Sequence, residues 1–498
     1  MRVQQLLEHH GIAVNPFAEE DAQSDPVFKD RCRDATYHPA WDKVYGEPSD
    51  PATSIVFGEK GSGKTAMRMQ IAGRVAQHNA KPGGGRLFVI EYDDFNPFLD
   101  HFADRLSARK QRYPAKVLAE WKLWDHMDAI LSLGVTSLVD RLLNVPHPTG
   151  PAANRIDASR IADLDHQQKR DLLLLATCYD NSSVETIASR WSRLRRVLRF
   201  RTWRSLWDKG VGVLVTVAVA ATIIYLRNWH WLSTVWPYLV VGIGWAPWLA
   251  RVWKWHFTAR RIAKNVRVLK PLVAPLRKLL MKFPGSDIEG QPLPVSQRTD
   301  DRYELVVKFQ GVLKSLGCGG VLVLVDRVDE PHLITGSAER MRALVWSMLD
   351  NKFLKQPGVG MKLLLPSELG TFIHEEDRDF YQRARLDKQN MIPSLEWSGE
   401  ALYDLANARV KSCGAEGQQP TLRSLLDDSI SEVRIIDAFR SLRVPRHLFK
   451  FLYRLLVAHC NAHTDDRPVW QISPQTFEAT LAVYRRDQDA VDRGLQAG

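Results

Sequence analysis

The chain has 498 residues, of which 45% are hydrophobic and 25% charged, and its formal net charge is +11 at pH 7. This length is enough for two or three domains with their own cores, and the composition excludes a fibrous or largely disordered chain. The five cysteines are scattered and never in C-x-x-C spacing, so they predict neither a zinc site nor a disulfide framework. The N-terminal sequence MRVQQLLEHHGIAV lacks the long apolar core of a signal peptide.

The first chemical signal along the chain is a phosphate-binding pattern, G-x-x-x-x-G-K-[ST]. It follows an apolar run at 54–57, which we predict to be a strand, and it precedes a helix-compatible stretch at 66–78. Eight residues fit the pattern: Gly58, Glu59, Lys60, Gly61, Ser62, Gly63, Lys64 and Thr65. In such a unit Lys64 contacts the β- and γ-phosphates and Thr65 binds Mg²⁺. We therefore expect a nucleoside triphosphate site; the alternative is a glycine-rich turn without a ligand.

Two uncharged runs farther along predict a pair of membrane-spanning helices. The runs cover 210–226 and 228–250, with expected spans at 210–226 and 231–250 and a turn at 227–230. A spanning helix needs about 20 apolar residues, so the first run is short but can be extended by its flanking tryptophans. The alternative is two buried core helices.

The flanks of these runs are basic and predict the topology. Residues 190–209 and 251–270 each have a net charge of +7, whereas the turn has only Arg227. Because positive loops stay in the cytoplasm, both termini are expected there, in a multi-pass protein of the cytoplasmic membrane. Ten of the 16 tryptophans lie between Trp191 and Trp255, as an interfacial belt requires. Subtracting the +15 of the flanks and Arg227 from +11 leaves −4, so the basic excess is expected at anionic lipid and not at nucleic acid.

A second half of the nucleotide site is predicted after a helix at 301–316. The aliphatic run 321–325 is typical of a parallel strand buried on both faces, and Asp326 ends it. This arrangement predicts Asp326 as the magnesium carboxylate. Asp329 or Glu330 is expected to activate the attacking water, and Glu330 is preferred for its reach. The alternative is an ordinary charged turn after a strand.

Three weaker candidates follow. The aliphatic strand at 361–365 leads to Ser367, which could contact the γ-phosphate or the attacking water. Arg446 opens a distal helix and either reaches back to the phosphates or is a surface residue. Arg383 and Arg385 could act on a neighbouring copy as arginine fingers, although surface charge explains both.

Together these motifs resemble the AAA+/STAND branch of P-loop NTPases. The relevant residues are the phosphate loop, the strand VLVLVDRVDE, the strand ending at Ser367 and the helix opened by Pro445-Arg446. Asn15-Pro16-Phe17 is similar to the adenine-side segment of such ATPases, and a helical hairpin between the two Walker motifs resembles the KAP NTPases. The resemblance implies a cytoplasmic ATPase. The chain departs from the pattern at Arg327, where AAA+ proteins carry the catalytic glutamate, so hydrolysis is expected either to depend on Glu330 or to be slow.

The predicted architecture is an α/β, doubly wound nucleotide-binding core with an inserted helical hairpin and a helical lid. We expect an adenine-side segment at 1–50, the first part of the core at 51–95, the insertion at 96–310, the second part at 311–395 and the lid at 396–498. ATP is favoured over GTP because the Asn-Lys pair at 351–352 lacks the aspartate of a guanine reader.

Two classes of function stay open at this stage. In the first, ATP binding and hydrolysis drive a membrane-anchored conformational switch that organises a complex with a protein partner or with other copies of the chain. In the second, the protein couples energy to transport or secretion. The spans contain no Asp, Glu or Lys that a substrate path would need, so the switch is preferred. A nucleic-acid ATPase is disfavoured by the charge distribution.

Overall fold

The computed structural model describes residues 1–81, 85–145, 158–202, 207–227 and 229–492. Its centre is a parallel sheet of five strands in the order β2-β3-β4-β1-β5. The strands are β1 Ser54–Gly58, β2 Arg86–Tyr92, β3 Cys318–Val325, β4 Val359–Pro366 and β5 Asn390–Ile392. The parallel sheet and the mixed α/β class are confirmed, and the strands predicted at 54–57, 321–325 and 361–365 are present as β1, β3 and β4. The edge strand β5 was not expected, because its three residues have no apolar pattern.

Helices cover both faces of the sheet. The N-terminal part contributes α1 Val3–His9, α2 Trp41–Tyr45 and α3 Lys64–Ala80, with a π-helical turn at Phe28–Cys32. One face of the sheet packs against α3 through Met67, Ile71 and Val75. The opposite face is covered by helices of the long excursion between β2 and β3. The residues after β4, the neighbour of β1, also pack on this opposite face through Leu369 and Ile373, whereas α3 follows β1 on the first face. A point at which the chain leaves two neighbouring strands toward opposite faces forms a crevice at their carboxyl ends.

The excursion between β2 and β3 is helical throughout its described parts. Its helices are α4 Asn96–Ala103, α5 Ala108–Gln111, α6 Pro114–Ala119, α7 Leu123–Leu143, α8 Ala158–Ala162, α9 His166–Tyr179, α10 Ile187–Val197, α11 Trp207–Tyr225, α12 Trp236–Asn265, α13 Val273–Leu280, α14 Gly285–Ile288 and α15 Asp300–Ser315. Buried ion pairs fix them to one another. Arg302 of α15 and Asp128 of α7 are both fully buried and 3.0 Å apart.

Short helices follow β3 and β4, and a helical lid completes the chain. The short helices are α16 Ala338–Val345, α17 Asn351–Leu354, α18 Glu368–Glu375 and α19 Arg378–Ala384. The lid consists of α20 Gly399–Ser412, α21 Glu432–Leu442, α22 Pro445–Asn461 and α23 Pro474–Asp492. The N-terminal segment is divided between two cores. Leu6, Leu7 and Phe17 pack with the lid, whereas Trp41 and Val44 pack beside α3.

Helices α11 and α12 form a closely packed pair. Gly212 lies against Trp245 and Gly244 against Val215, since a Cβ at either glycine would come within 2.7 Å of that neighbour. The Trp245 indole N–H also donates to Thr216 Oγ1 at 3.1 Å. Small residues at the crossing therefore let the two backbones approach.

The expectation of two membrane spans is not supported. Within the described residues, one helix, Trp207–Tyr225, is long and apolar enough to cross a membrane. The second expected span loses its start because Trp229–Ser233 forms a 3₁₀ turn, so that α12 begins only at Trp236. Its apolar part ends before Arg251, which leaves it short of the roughly 20 residues that a span requires. Asn228, in the predicted turn, lies outside the described residues.

Candidate functional site

The loop between β1 and α3 folds around three glycines. Gly61 and Gly63 have φ angles of +91° and +98°, a region that glycine enters without strain. A Cβ at Gly58 would lie 2.5 Å from the Ser62 hydroxyl, so the first glycine is required by close approach. The loop therefore turns its backbone inward at the N-terminus of α3, where the helix dipole favours an anion.

Lys64 spans this loop from the first residue of α3. Its ammonium donates to the carbonyl oxygens of Gly58 at 2.7 Å and Glu59 at 3.0 Å. Burial lowers the pKa of this ammonium, while the nearby carboxylates of Asp326, Asp329 and Glu368 act in the opposite direction. A half-buried cation with backbone partners and surrounding carboxylates is well suited to contact a bound oxyanion.

Asp326 lies at the carboxyl end of β3 and is 1% exposed. Burial raises the pKa of its carboxyl group, and Arg68, the Thr65 hydroxyl and Lys64 oppose that rise. Arg68 Nε lies 3.4 Å from Asp326 Oδ2, but no hydrogen bond satisfies this oxygen within the described residues. The predicted magnesium residues Thr65 and Asp326 are thus in contact, and Asp326 Oδ2 has no hydrogen-bond donor within the described residues.

The two candidate water-activating carboxylates have different surroundings. Arg327 adopts a left-handed conformation, with φ of +61°, and its guanidinium forms an ion pair with Glu330. Glu330 is about half exposed, whereas Asp329 acts on the Lys64 ammonium. Both line the cleft. Asp329 is therefore among the carboxylates that raise the pKa of the Lys64 ammonium, whereas Glu330 is paired with Arg327.

Ser367 is close to the loop through its backbone. Its N–H donates to the carbonyl of Gly58 at 3.1 Å, and its hydroxyl donates to the neighbouring Glu368 at 3.4 Å. It does not line the cleft that Lys64 and Asp326 line. The sequence did not point to Glu368, yet its carboxylate, and not Ser367, raises the pKa of the Lys64 ammonium.

The lid contacts the phosphate loop at two points. The Arg446 backbone N–H donates to Gly61 O at 3.3 Å, and the Trp397 indole donates to Ser62 O at 2.8 Å. Arg446 Nε is buried and makes no hydrogen bond within the described residues. The predicted approach of Arg446 to the loop is therefore present, while Trp397 was missed; its only sequence signal is an aromatic residue just before the helix cap Ser398.

A cleft continues from the loop into the junction of the N-terminal segment and the lid. Its far wall includes Phe28, His38, Gln70, Arg409 and Phe449. Asn15, Pro16 and Phe17 do not line it; Pro16 O instead accepts a hydrogen bond from Arg409, and the Phe17 ring packs against Phe449. The segment similar to an adenine-side motif thus supports the cleft from behind.

The remaining arginine candidates lie away from this cleft. Arg383 and Arg385 are exposed and do not line it, and Arg383 lies over the Phe380 ring at 5.7 Å. This chain therefore gives neither residue a role in its own cleft.

The residues of the site fit a magnesium-bound triphosphate. No cluster of three or more His, Cys, Asp or Glu side chains in the described residues could hold a metal by protein ligands alone. Mg²⁺ usually takes one or two protein oxygens together with phosphate oxygens, and Thr65 and Asp326 supply such a pair. The buried Asp326 Oδ2 and Ser62 Oγ make no hydrogen bond within the described part of the chain, so both can accept a new partner.

Comparison with known proteins gives no relative. No family model, no curated protein and no solved structure matches this chain.

Proposed function

We propose that this chain is a membrane-associated ATPase that binds Mg²⁺ and ATP in the cleft between the phosphate loop and the lid. One observation carries the proposal: a glycine-bounded loop with Lys64 at its centre lies beside the buried carboxylate of Asp326. Gly61, Gly63 and the start of α3 would hold the phosphates, and Thr65 and Asp326 would hold the metal. The resemblance to KAP NTPases is part of this proposal.

The lid contacts support a role as a conformational switch. Arg446 and Trp397 contact consecutive residues of the phosphate loop, Gly61 and Ser62. A ligand that fills the loop would also contact Arg446 in the first turn of α22. If the ligand bound one lid position more tightly than another, it would shift the populations of the two positions. The metal would neutralise charge on the transferring phosphate, while Asp329 or Glu330 would accept the proton of the attacking water.

The exposed apolar surface of α11 and of the first half of α12 supports attachment to a membrane. Leu214 is 69% exposed, Trp236 74% and Ile243 70%. Soluble monomers rarely expose a continuous apolar surface of this kind. We propose that this helical pair anchors the ATPase, with α11 crossing the membrane and the shorter apolar part of α12 returning beside it, so that both chain ends lie on the cytoplasmic side.

A binding experiment tests the nucleotide site. Lys64→Ala should weaken binding of a fluorescent ATP analogue at least 10-fold, because a hydrogen bond to a charged group contributes about 1.5–3 kcal/mol. Lys81→Ala removes an exposed lysine next to the C-terminal end of the same helix and serves as the control. Equal affinities of the two variants for the analogue in equilibrium titration would overturn the assignment.

A further inference from the structure

The basic residues that flank the helical pair are not equivalent in the structure. Arg190 is 1% exposed and lies 2.9 Å from Asp180 and 2.7 Å from Asp140. Arg267 forms an ion pair with the buried Asp125. These cations stabilise the excursion between β2 and β3 and are not available to an external partner.

A second group of basic residues is exposed on one face of α12. Arg260, Arg261 and Lys264 are exposed and form no ion pair with any described residue. With 3.6 residues per turn, they share an arc of about 100° with Trp253 and Phe257. These two rings are 66% and 51% exposed, and their centroids lie 6.1 Å apart.

The opposite side of the same helix segment is fixed to the protein core. Trp255 is 5% exposed, and Ala259 and Ile262 are fully buried. The segment is therefore held rigidly, and its exposed side chains have a defined orientation. The basic–aromatic face consists of Trp253, Phe257, Arg260, Arg261 and Lys264.

The basic–aromatic face continues an apolar stripe on the same side of α12. Leu239, Ile243 and Leu249 lie on this side and are 48%, 70% and 46% exposed. Along the helix the exposed residues thus change from aliphatic to aromatic to basic. This order matches the depth profile of a lipid leaflet, in which hydrocarbon is followed by the interface and then by phosphate.

We propose that the basic–aromatic face binds the headgroups of anionic phospholipids. The inference rests on the proposed membrane attachment and adds that the attached protein prefers anionic to neutral phospholipids. Trp253 and Phe257 would lie at the interface, and the three cations would contact lipid phosphates. A nucleic acid fits less well, since it would leave the adjoining aliphatic stripe exposed to water.

Lipid titration tests the proposal on the full chain. The protein in neutral detergent is titrated with fluorescent phosphatidylglycerol and, separately, with fluorescent phosphatidylcholine. Phosphatidylglycerol should bind more tightly, and the variant R260Q/R261Q/K264Q should lose about 100-fold of that affinity, at about a factor of five per cation. The control K355Q/K388Q/K411Q removes the same charge from exposed positions elsewhere and should bind as the unsubstituted protein does.

The outcomes separate this inference from membrane attachment itself. Equal affinity for the two lipids, or equal loss in both triple variants, would overturn the inference. If the inference is overturned but the protein floats with neutral vesicles, the proposed membrane attachment still holds. Failure to float with any vesicle would contradict both the attachment and the lipid-binding face. Displacement of the lipid by a single-stranded oligonucleotide at lower concentration would assign the face to nucleic acid and also overturn the inference. A thermal unfolding scan of each variant verifies that it is folded.

Discussion

Arg68 joins the two sides of the candidate site. Its guanidinium is 4% exposed and lies 2.6 Å from Glu91, 2.6 Å from Asp93 and 3.4 Å from Asp326. Arg68 belongs to the helix that follows the phosphate loop, whereas its partners lie at the carboxyl ends of β2 and β3. The guanidinium therefore sets the position of Asp326 relative to Lys64, one helical turn away. Only its spacing of four residues from Lys64 hints at this in the sequence.

Replacing Arg68 should destabilise the protein. Arg68→Met leaves three carboxylates close together without their cation, and breaking a buried pair costs about 3–5 kcal/mol. We expect a loss near the lower limit, about 3 kcal/mol, because Glu91 is half exposed. Denaturant unfolding followed by circular dichroism measures the change. Arg68→Lys keeps the charge and should recover part of the loss; equal stability of the Met variant and the unsubstituted protein would contradict this account.

The choice of the water-activating carboxylate is a second prediction at the residue scale. The sequence favours Glu330 for its reach. In the structure, however, Glu330 forms an ion pair with Arg327, whereas the Asp329 carboxylate raises the pKa of the Lys64 ammonium. Asp329→Asn should therefore slow ATP hydrolysis by about 100-fold, the lower limit for a general base, while ATP still binds. Glu330→Gln should slow it less. Steady-state phosphate release measures the hydrolysis rates of the two variants. A larger loss of rate in Glu330→Gln than in Asp329→Asn would identify Glu330 as the water-activating carboxylate. If neither substitution matters, the site binds ATP without efficient turnover.

At the scale of elements, α4 links the loop after β3 to the end of α12. The Asn96 side-chain oxygen accepts the His332 backbone N–H at 3.1 Å and contacts its ring nitrogen at 3.0 Å. Arg105, two residues beyond α4, donates to the carbonyl oxygens of Ala263 and Leu269, each at 2.5 Å. A movement of the loop that carries Asp329 and Glu330 would thus reach the end of α12 through one short element.

This link predicts a change in hydrogen exchange that depends on Arg105. On addition of ATP, amides near Ala263 should change their exchange rate in the unsubstituted protein and keep it in Arg105→Ala, although ATP still binds. Arg109→Ala removes an exposed arginine in the next helix and serves as the control. Mass spectrometry of peptic peptides measures the effect. The same response in both variants would show that α4 carries no coupling, since contact alone does not establish it.

The predictability of the fold and site follows from the range of the interactions involved. The buried strands β1, β3 and β4 are continuous apolar runs, so their positions could be predicted locally. Their order could not, because the placement of β4 between β1 and β3 depends on contacts across some 300 residues of chain. Glu368 and Trp397 could not be predicted either, because each lies near the phosphate loop only through contacts between distant parts of the chain. The prediction of a second span was wrong for a local reason. Residues that are apolar enough for a spanning helix form the 3₁₀ turn Trp229–Ser233 instead.

At the scale of the whole molecule, the proposed anchor predicts which parts of the chain lie outside the cell. Trp229, at the tip of the helical pair, is 63% exposed, and Gln475 is exposed at the start of α23 in the lid. The native thiols provide a low background, since four of the five are buried and Cys318 is half-buried; the four are Cys32, Cys178, Cys413 and Cys460. Single cysteines at positions 229 and 475 therefore report on the tip of the pair and on the lid.

Labelling with a membrane-impermeant maleimide decides the topology. In intact cells, Trp229→Cys should react and Gln475→Cys should not, while both react after lysis, because the basic flanks retain the two ends of the pair in the cytoplasm. Labelling of both positions from outside would mean that α11 crosses alone and α12 does not return, and labelling of position 475 alone would mean that the pair is inserted in the opposite orientation. Protection of both positions in intact cells would remove the transmembrane anchor and leave the exposed apolar surface of α11 and α12 to a protein partner.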